Sequence, residues 1–245
     1  MFRSASAREH AALRDTLRIR MKKRVIVTES TRSAKNEAPR ETRSAGPLVG
    51  AKFECAAAAP AQLPPLGPGE IAFAGRSNAG KSSAINTLAR QSRLAYASKT
   101  PGRTRQINFF RLRSGARVAD LPGYGYAAVP RSLKRDWQNL LWHYVTARTT
   151  LVGLVVVVDA RRGLSELDIA LLTGFVPSGR PVLILATKAD KLDTASRRDA
   201  FAAIRREIDE RFGPHGGAIT VQLFSATSRA GVDLADSVIE YWVPR

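Results

Sequence analysis

One cysteine, Cys55, is all that this chain contains. It can form no intrachain disulfide, so disulfide-stapled secreted scaffolds are excluded and a reducing compartment fits. Histidine is scarce as well: His10, His143 and His215 stand far apart, with none of the spacing of a metal site. Long apolar runs are missing. "LVGLVVVV", Leu151–Val158, ends at Asp159, far short of the roughly 18 residues of a membrane span. It reads as a strand buried in a parallel sheet. Acidic residues are few too, 21 against 39 Lys and Arg, and the formal charge is +18. That excess suits a polyanionic partner, nucleic acid or an anionic membrane surface.

The first 44 residues hold 12 basic and 5 acidic side chains, which leaves +11 on the remainder. The N-terminal segment alone therefore does not explain the charge. Residues 1–45 are rich in Arg, Ser and Ala, lack sustained apolar periodicity and run into Gly46-Pro47. The expectation is a basic, disordered N-terminal extension over residues 1–50, with Ala11–Arg24 as a fluctuating helix. It has no apolar core of a secretory signal. A mitochondrial transit peptide is also basic and Ser-rich, but Glu9, Asp15, Glu29, Glu37 and Glu41 speak against one. A start codon assigned too early, with Met21 as one internal candidate, is the plainer alternative.

Ala51–Ala59 reads as an edge strand, and "PAQLPPLGPGE", Pro60–Glu70, as a Pro/Gly linker. From Ile71 onward, strands and helices alternate. Strand Ile71–Ala74 leads to helix Lys81–Arg90 and a basic loop, Gln91–Gln106. Strands Ile107–Arg113 and Arg117–Leu121 form a hairpin around "SGA". Helix Ser132–Arg148, strand Val152–Asp159, helix Glu166–Phe175 and strand Pro181–Ala186 follow. Helix Ala195–Phe212, strand Ile219–Phe224 and a helix over about Val232–Tyr241 complete the pattern. Such alternation predicts an α/β fold, a mostly parallel sheet with helices on both faces and the site at the carboxyl ends of its strands.

"GRSNAGKS", Gly75–Ser82, fits the phosphate-loop pattern. Its glycines let backbone N–H groups point inward, and the following helix aims its positive end at phosphate. Lys81 reaches the β- and γ-phosphates, and the Ser82 hydroxyl suits Mg²⁺. Further motifs follow in order. Asp120 of "DLPG" suits Mg²⁺ through a water, and the Gly123 N–H suits the γ-phosphate. Asp190 of "TKAD" can accept two hydrogen bonds from guanine, a donor pair that adenine lacks. The Lys188 stem packs along the base. "SAT", Ser225–Thr227, offers the Ala226 N–H to guanine O6. Thr104, in the basic loop, supplies a second Mg²⁺-binding hydroxyl.

"FAGRSNAGKSSAIN", "SKTPGRTRQINFF", "DLPGYGYA" and "TKADK" together resemble the EngB-type (YihA/YsxC) bacterial ribosome-biogenesis GTPases, of the TrmE-Era-EngA-like superfamily. The resemblance covers Phe53 onward and implies a Ras-like G domain over residues 51–245. It implies GTP, GDP and Mg²⁺ as ligands. It carries nucleotide contacts onto Gly75, Arg76, Ser77, Asn78, Ala79, Gly80, Lys81 and Ser82, and onto Gly102, Arg103, Thr104, Arg105 and Gln106. It also carries them onto Asp120, Leu121, Pro122 and Gly123, onto Thr187, Lys188, Ala189 and Asp190, and onto Phe224, Ser225 and Ala226. Mg²⁺ ligands fall on Ser82 and Thr104, and the groups at the reacting phosphate are Lys81, Thr104 and Gly123. A monomeric cytoplasmic switch is implied, acting with rRNA in maturation of the large ribosomal subunit and needed for growth, cell division and septation. The long basic N-terminus departs from the family, so nothing about it is carried over.

Ras-like enzymes orient water with a Gln just after the DxxG glycine, but here Tyr124 stands there. It reads as a loop aromatic with no catalytic part. Arg103 and Arg105 are candidates for an arginine finger, and unaided turnover is expected to be slow. Asn78 has two readings: its carbonyl holds K⁺ beside the phosphates, or it shapes the loop. Arg93, Lys99, Arg103, Arg105, Arg111, Arg113, Arg131, Lys134 and Arg135 cluster in or beside the two switch segments, as a nucleotide-gated RNA surface requires. A membrane-trafficking GTPase calls for a C-terminal prenylation cysteine, and the sequence ends "YWVPR". A metabolic kinase leaves "TKAD" unexplained.

Overall fold

Strands that are apolar on both faces belong in the middle of a sheet covered twice. The computed structural model describes residues 45–96, 106–125, 140–213 and 218–243, and places them so. The strands are β1 (Lys52–Ala57), β2 (Glu70–Gly75), β3 (Ile107–Arg111), β4 (Arg117–Asp120), β5 (Leu151–Asp159), β6 (Val182–Thr187) and β7 (Ile219–Leu223). They form one sheet in the order β1-β3-β4-β2-β5-β6-β7. β4, β2, β5, β6 and β7 run parallel, while the β3–β4 hairpin and the edge strand β1 are antiparallel. The expected succession of strands and helices along the chain and the mostly parallel sheet both hold, with strand ends shifted by one or two residues.

The helices are α1 (Lys81–Ala89), α2 (residues 140–147), α3 (Glu166–Phe175), α4 (Thr194–Phe212) and α5 (Val232–Trp242). Residues 132–139 of the expected helix Ser132–Arg148 lie outside the described residues. One sheet face packs Ala72, Ala74, Leu154 and Val156 against Tyr144 of α2, Leu172 and Phe175 of α3 and Ile204 and Ile208 of α4. The alternate residues Ile71, Phe73, Val155 and Val157 face Ile85 and Leu88 of α1 and Ala235 and Ile239 of α5. Period-two alternation thus builds two cores from one set of strands. Gly153 lets α5 close down, since a Cβ there would meet the Trp242 ring at 2.4 Å.

The described residues all lie in one compact unit, Ser44–Arg245. Leu48, inside the stretch expected as extension, is fully buried against the α1–α5 core. At the amino end of β2, Glu70 is fully buried among Tyr144, Arg148 and Arg117. It anchors the linker to the sheet.

Candidate functional site

β2 ends at Gly75, where the neighbouring strand leaves no room for a side chain. A Cβ there would lie 2.5 Å from the Val157 carbonyl oxygen of β5. Gly75 therefore serves close strand packing beneath the loop. The bending falls on Asn78, at φ 66°, and Gly80, at φ 101°, a region open to Gly and tolerated by Asn. Gly80 is the N-cap of α1, whose first-turn N–H groups have no helical partners. Lys81 folds back to ion-pair with Asp120 at the end of β4, and both side chains are nearly buried. Ser82 is partly buried beside it.

"DLPG" runs alongside this loop. Ser77 N–H donates to the Tyr124 carbonyl at 2.8 Å, and Tyr124 N–H to that of Gly75 at 3.3 Å. Gly123 is exposed between them. Tyr124, read from the sequence as a loop aromatic with no catalytic part, is a buried side chain, 2% exposed. Its hydroxyl donates to Asp168 Oδ1 at 2.5 Å.

The ends of β6 and β7 meet the loop from the other side. The Thr187 hydroxyl faces the carbonyls of Ala79 and Val158, so it supports the loop. Lys188, left-handed at φ 58°, donates to the Asn78 carbonyl at 2.7 Å and to Asp159 Oδ2 at 2.9 Å. Asp190 Oδ1 accepts from the Ser225 hydroxyl at 2.7 Å, and that bond holds the Asp190 carboxyl below its ordinary range. Ala189 N–H donates to the Phe224 carbonyl, which brings "TKAD" and "SAT" together. Ala226 follows, partly buried.

Asp159 is the residue that sequence reasoning passed over. It ends β5, is 5% exposed, and is gripped by Arg161 at 2.8 and 2.9 Å as well as by Lys188. Burial alone raises such a carboxyl, but the hydrogen bonds from Arg161 and Lys188 outweigh it and hold Asp159 far below the usual range. The available signal was an acid closing an apolar strand at the carboxyl edge of the sheet. A cleft of about 370 Å³ lies beside the loop, lined by Arg76, Asn78, Asp159, Ser165, Asp168 and Lys188 among others.

Gly102, Arg103, Thr104 and Arg105 lie outside the described residues, as do Lys99, Arg131, Lys134 and Arg135. Gln106 is exposed just before β3. Arg111 is no free surface cation, because Glu54 pairs with it at 2.5 Å. Among the described residues no group of His, Cys, Asp and Glu forms a metal cluster, and no helix is long and apolar enough to cross a membrane. The Ser82 hydroxyl and Asp120 carboxylate are hard oxygen donors of the kind that suit Mg²⁺.

Fold and loop order together are those of the P-loop GTPases. The family model described as "50S ribosome-binding GTPase" matches residues 70–188. A probable GTP-binding protein EngB of Azoarcus sp. (strain BH72) is 50% identical over 193 residues, covering 79% of this chain and 91% of its own length. The probable EngB of Burkholderia pseudomallei (strain 1106a) is 49% identical over 186 residues, 74% of this chain and 85% of its own. A crystal structure of a probable GTP-binding protein EngB aligns with TM-score 0.57 and 21% identity over 71% of this chain and 98% of that one. Era in complex with MgGDPNP and a 16S rRNA fragment aligns at TM-score 0.55 and 20% identity over 72% of this chain and 57% of that one. These two likenesses speak to fold. The chain belongs to the EngB family of GTP-binding proteins, a family of GTPases.

Proposed function

We propose that this chain is a guanine-nucleotide switch that works on the large ribosomal subunit or its precursor in the bacterial cytoplasm. One observation carries the nucleotide half. The Ser225 hydroxyl orients the Asp190 carboxylate, and two residues earlier Lys188 reaches the Asn78 carbonyl of the phosphate loop. A group that reads guanine and a group that shapes the phosphate cradle are thereby joined through one turn. In this reading Asp190 accepts from the base, the Ala226 N–H meets its O6, and Lys81 leaves Asp120 for the β- and γ-phosphates. Gly75–Ser82, Gly102–Gln106, Asp120–Gly123, Thr187–Asp190 and Phe224–Ala226 form the nucleotide site. Ser82 and Thr104 would hold Mg²⁺, which would supply charge neutralisation to the phosphates.

Hydrolysis is slow unaided, because Tyr124 cannot present an amide to water. The ribosomal partner stimulates it. The family model's description and the +18 charge support an rRNA partner. The GTP-bound form orders the loops carrying Thr104 and Gly123, and with them Arg103, Arg105, Arg131 and Lys134 as one surface. Loss of the protein then disturbs growth, division and septation. Co-sedimentation with separated ribosomal subunits, in GDP or a non-hydrolysable GTP analogue, tests this. Binding to the large subunit is expected to be tighter with the analogue and to weaken steeply with salt. Equal binding in both states, or none at low salt, refutes it.

A further inference from the structure

The residue after Gly123 lacks the chemistry to orient water, yet it is anchored through both backbone and side chain. Tyr124 is tied at its N–H, its carbonyl and its hydroxyl. Its N–H donates to the Gly75 carbonyl, and its carbonyl accepts from the Ser77 N–H, so its backbone is laced to the phosphate loop. Its hydroxyl crosses to the start of α3 and donates to Asp168 Oδ1. Asp168 is itself 2% exposed and fixed: its Oδ2 accepts from the Ser165 N–H at 2.8 Å and from the Ser165 hydroxyl at 2.5 Å, in a capping box that starts α3. Burial first, then the negative Asp168, push the Tyr124 hydroxyl well above its ordinary value, so it remains a donor. Gly123, by contrast, is exposed. Its place is dictated by its neighbours.

We infer that Tyr124 is a positioning residue for hydrolysis: its hydroxyl, anchored on Asp168, fixes the adjacent Gly123 N–H against the phosphate loop. The role rests on the reading of Gly123 as the group that meets the γ-phosphate. It supplies place rather than a proton or a water contact. It also makes the first turn of α3 part of the device that distinguishes GTP from GDP, since a shift of Ser165 or Asp168 is carried through one rigid ring to Gly123.

Tyr124→Phe keeps the ring and nearly all of its volume and removes the hydroxyl bonded to Asp168. Single-turnover GTP hydrolysis is expected to fall about tenfold, and affinity for a non-hydrolysable GTP analogue about fivefold, with GDP affinity held within about twofold. Ser165→Ala loosens Asp168 without touching Tyr124 and is expected to lower the analogue-to-GDP affinity ratio in the same direction by less. A merely structural hydroxyl gives another pattern: a lower thermal midpoint, unchanged hydrolysis and an unchanged ratio. That result, or an equal loss of affinity for both nucleotides in either variant, overturns the inference. If the parent protein itself hydrolyses no GTP, the functional reading fails and the positioning role fails with it.

Discussion

Both ends of the sheet bury carboxylates, and they hold them in opposite ways. At the amino ends of the strands, Glu70 accepts from the Tyr144 hydroxyl at 2.8 Å and from Arg148 at 2.9 and 2.6 Å. Arg148 also donates to the Pro64 carbonyl, and Arg117 bridges Glu54 and the Pro65 carbonyl. Planar guanidinium forks on both sides close this network on itself. At the carboxyl ends, Asp120 and Asp190 have simpler attachments: the Lys81 ammonium and the Ser225 hydroxyl. Asp159 combines a guanidinium with the Lys188 ammonium. Ammonium groups on flexible stems can exchange one anion for another at little geometric cost. The same element of structure, a buried acid at a strand end, is an anchor where the partner is a locked arginine. It becomes a working part where the partner can let go.

The sharpest break of that contrast is at the anchored end. Arg148→Met leaves Glu70 fully buried without its forked partner. The expected cost is about 2–4 kcal/mol of unfolding free energy, because the buried charge keeps only the Tyr144 hydroxyl and Arg117, 3.8 Å away. GDP affinity of the folded molecules should stay unchanged. Chemical denaturation and a GDP titration on the same preparation check both halves. A loss of GDP affinity without a loss of stability would erase the distinction between the two ends.

The matching change at the working end is Asp190→Asn. An amide faces the O2 of xanthine but not the N2 amine of guanine, so preference should move toward xanthine nucleotides. GDP affinity should fall by roughly 2–3 kcal/mol through loss of a charge-assisted pairing. The thermal midpoint should hardly move, since Asp190 is bound by one hydroxyl and a Lys191 ammonium 3.6 Å away. Tight GDP binding by the variant would remove Asp190 from the base pocket.

What could be read in the sequence divides along the same line. The working end was legible because loops with special backbone needs use a small alphabet. Asn78, Gly80 and the "DLPG" and "TKAD" turns announce themselves, and the apolar runs alternating with helices pointed to a mostly parallel sheet. The anchored end was not. Glu70 looked like the last residue of a linker, and its partners Tyr144 and Arg148 lie more than seventy positions away. The buried place of Tyr124 depends likewise on Asp168, forty-four positions on. Gly75 fitted the motif for one reason and is required for another, the Val157 carbonyl. Motifs record backbone geometry near in sequence; side-chain pairing across the fold leaves no such local mark.

A buried acid with one unsatisfied oxygen sharpens the comparison further. Asp236 of α5 is 8% exposed, and its Oδ1 has no hydrogen-bond partner among the described residues. Burial raises its carboxyl to about 6, with Arg90 and Arg229 opposing and Asp233 and Glu240 adding to the rise. The folded chain therefore keeps a proton between about pH 4 and pH 6 that the unfolded chain releases. Its contribution to stability is most favourable below about pH 4, declines through that window and then levels. Asp236→Asn should flatten this decline and add about 1 kcal/mol at pH 7. Denaturation midpoints at pH 4, 5, 6 and 7 decide it. Asp159, held far below its usual range, predicts the reverse: its contribution persists above about pH 4 and is lost only in strong acid.

The smallest effect is expected from the largest deletion. Residues 1–44 carry +7 and few apolar side chains, so little hydrophobic burial is available to them. Removing them should leave the thermal midpoint and GDP affinity nearly unchanged, and binding to ribosomal subunits weaker in proportion to the charge removed. The position of the cut matters. Gly46 lies against Asp236, where a Cβ would stand 2.3 Å from its Oδ2, and Leu48 is fully buried. A chain starting at residue 45 keeps both contacts. One starting at residue 50 loses the Leu48 side chain from the core and should be less stable by about 2–4 kcal/mol. Differential scanning of the two truncations beside the full chain separates the cases. An equal large drop in both would show that residues 1–44 pack on the G domain, and the boundary argued from composition would then be wrong.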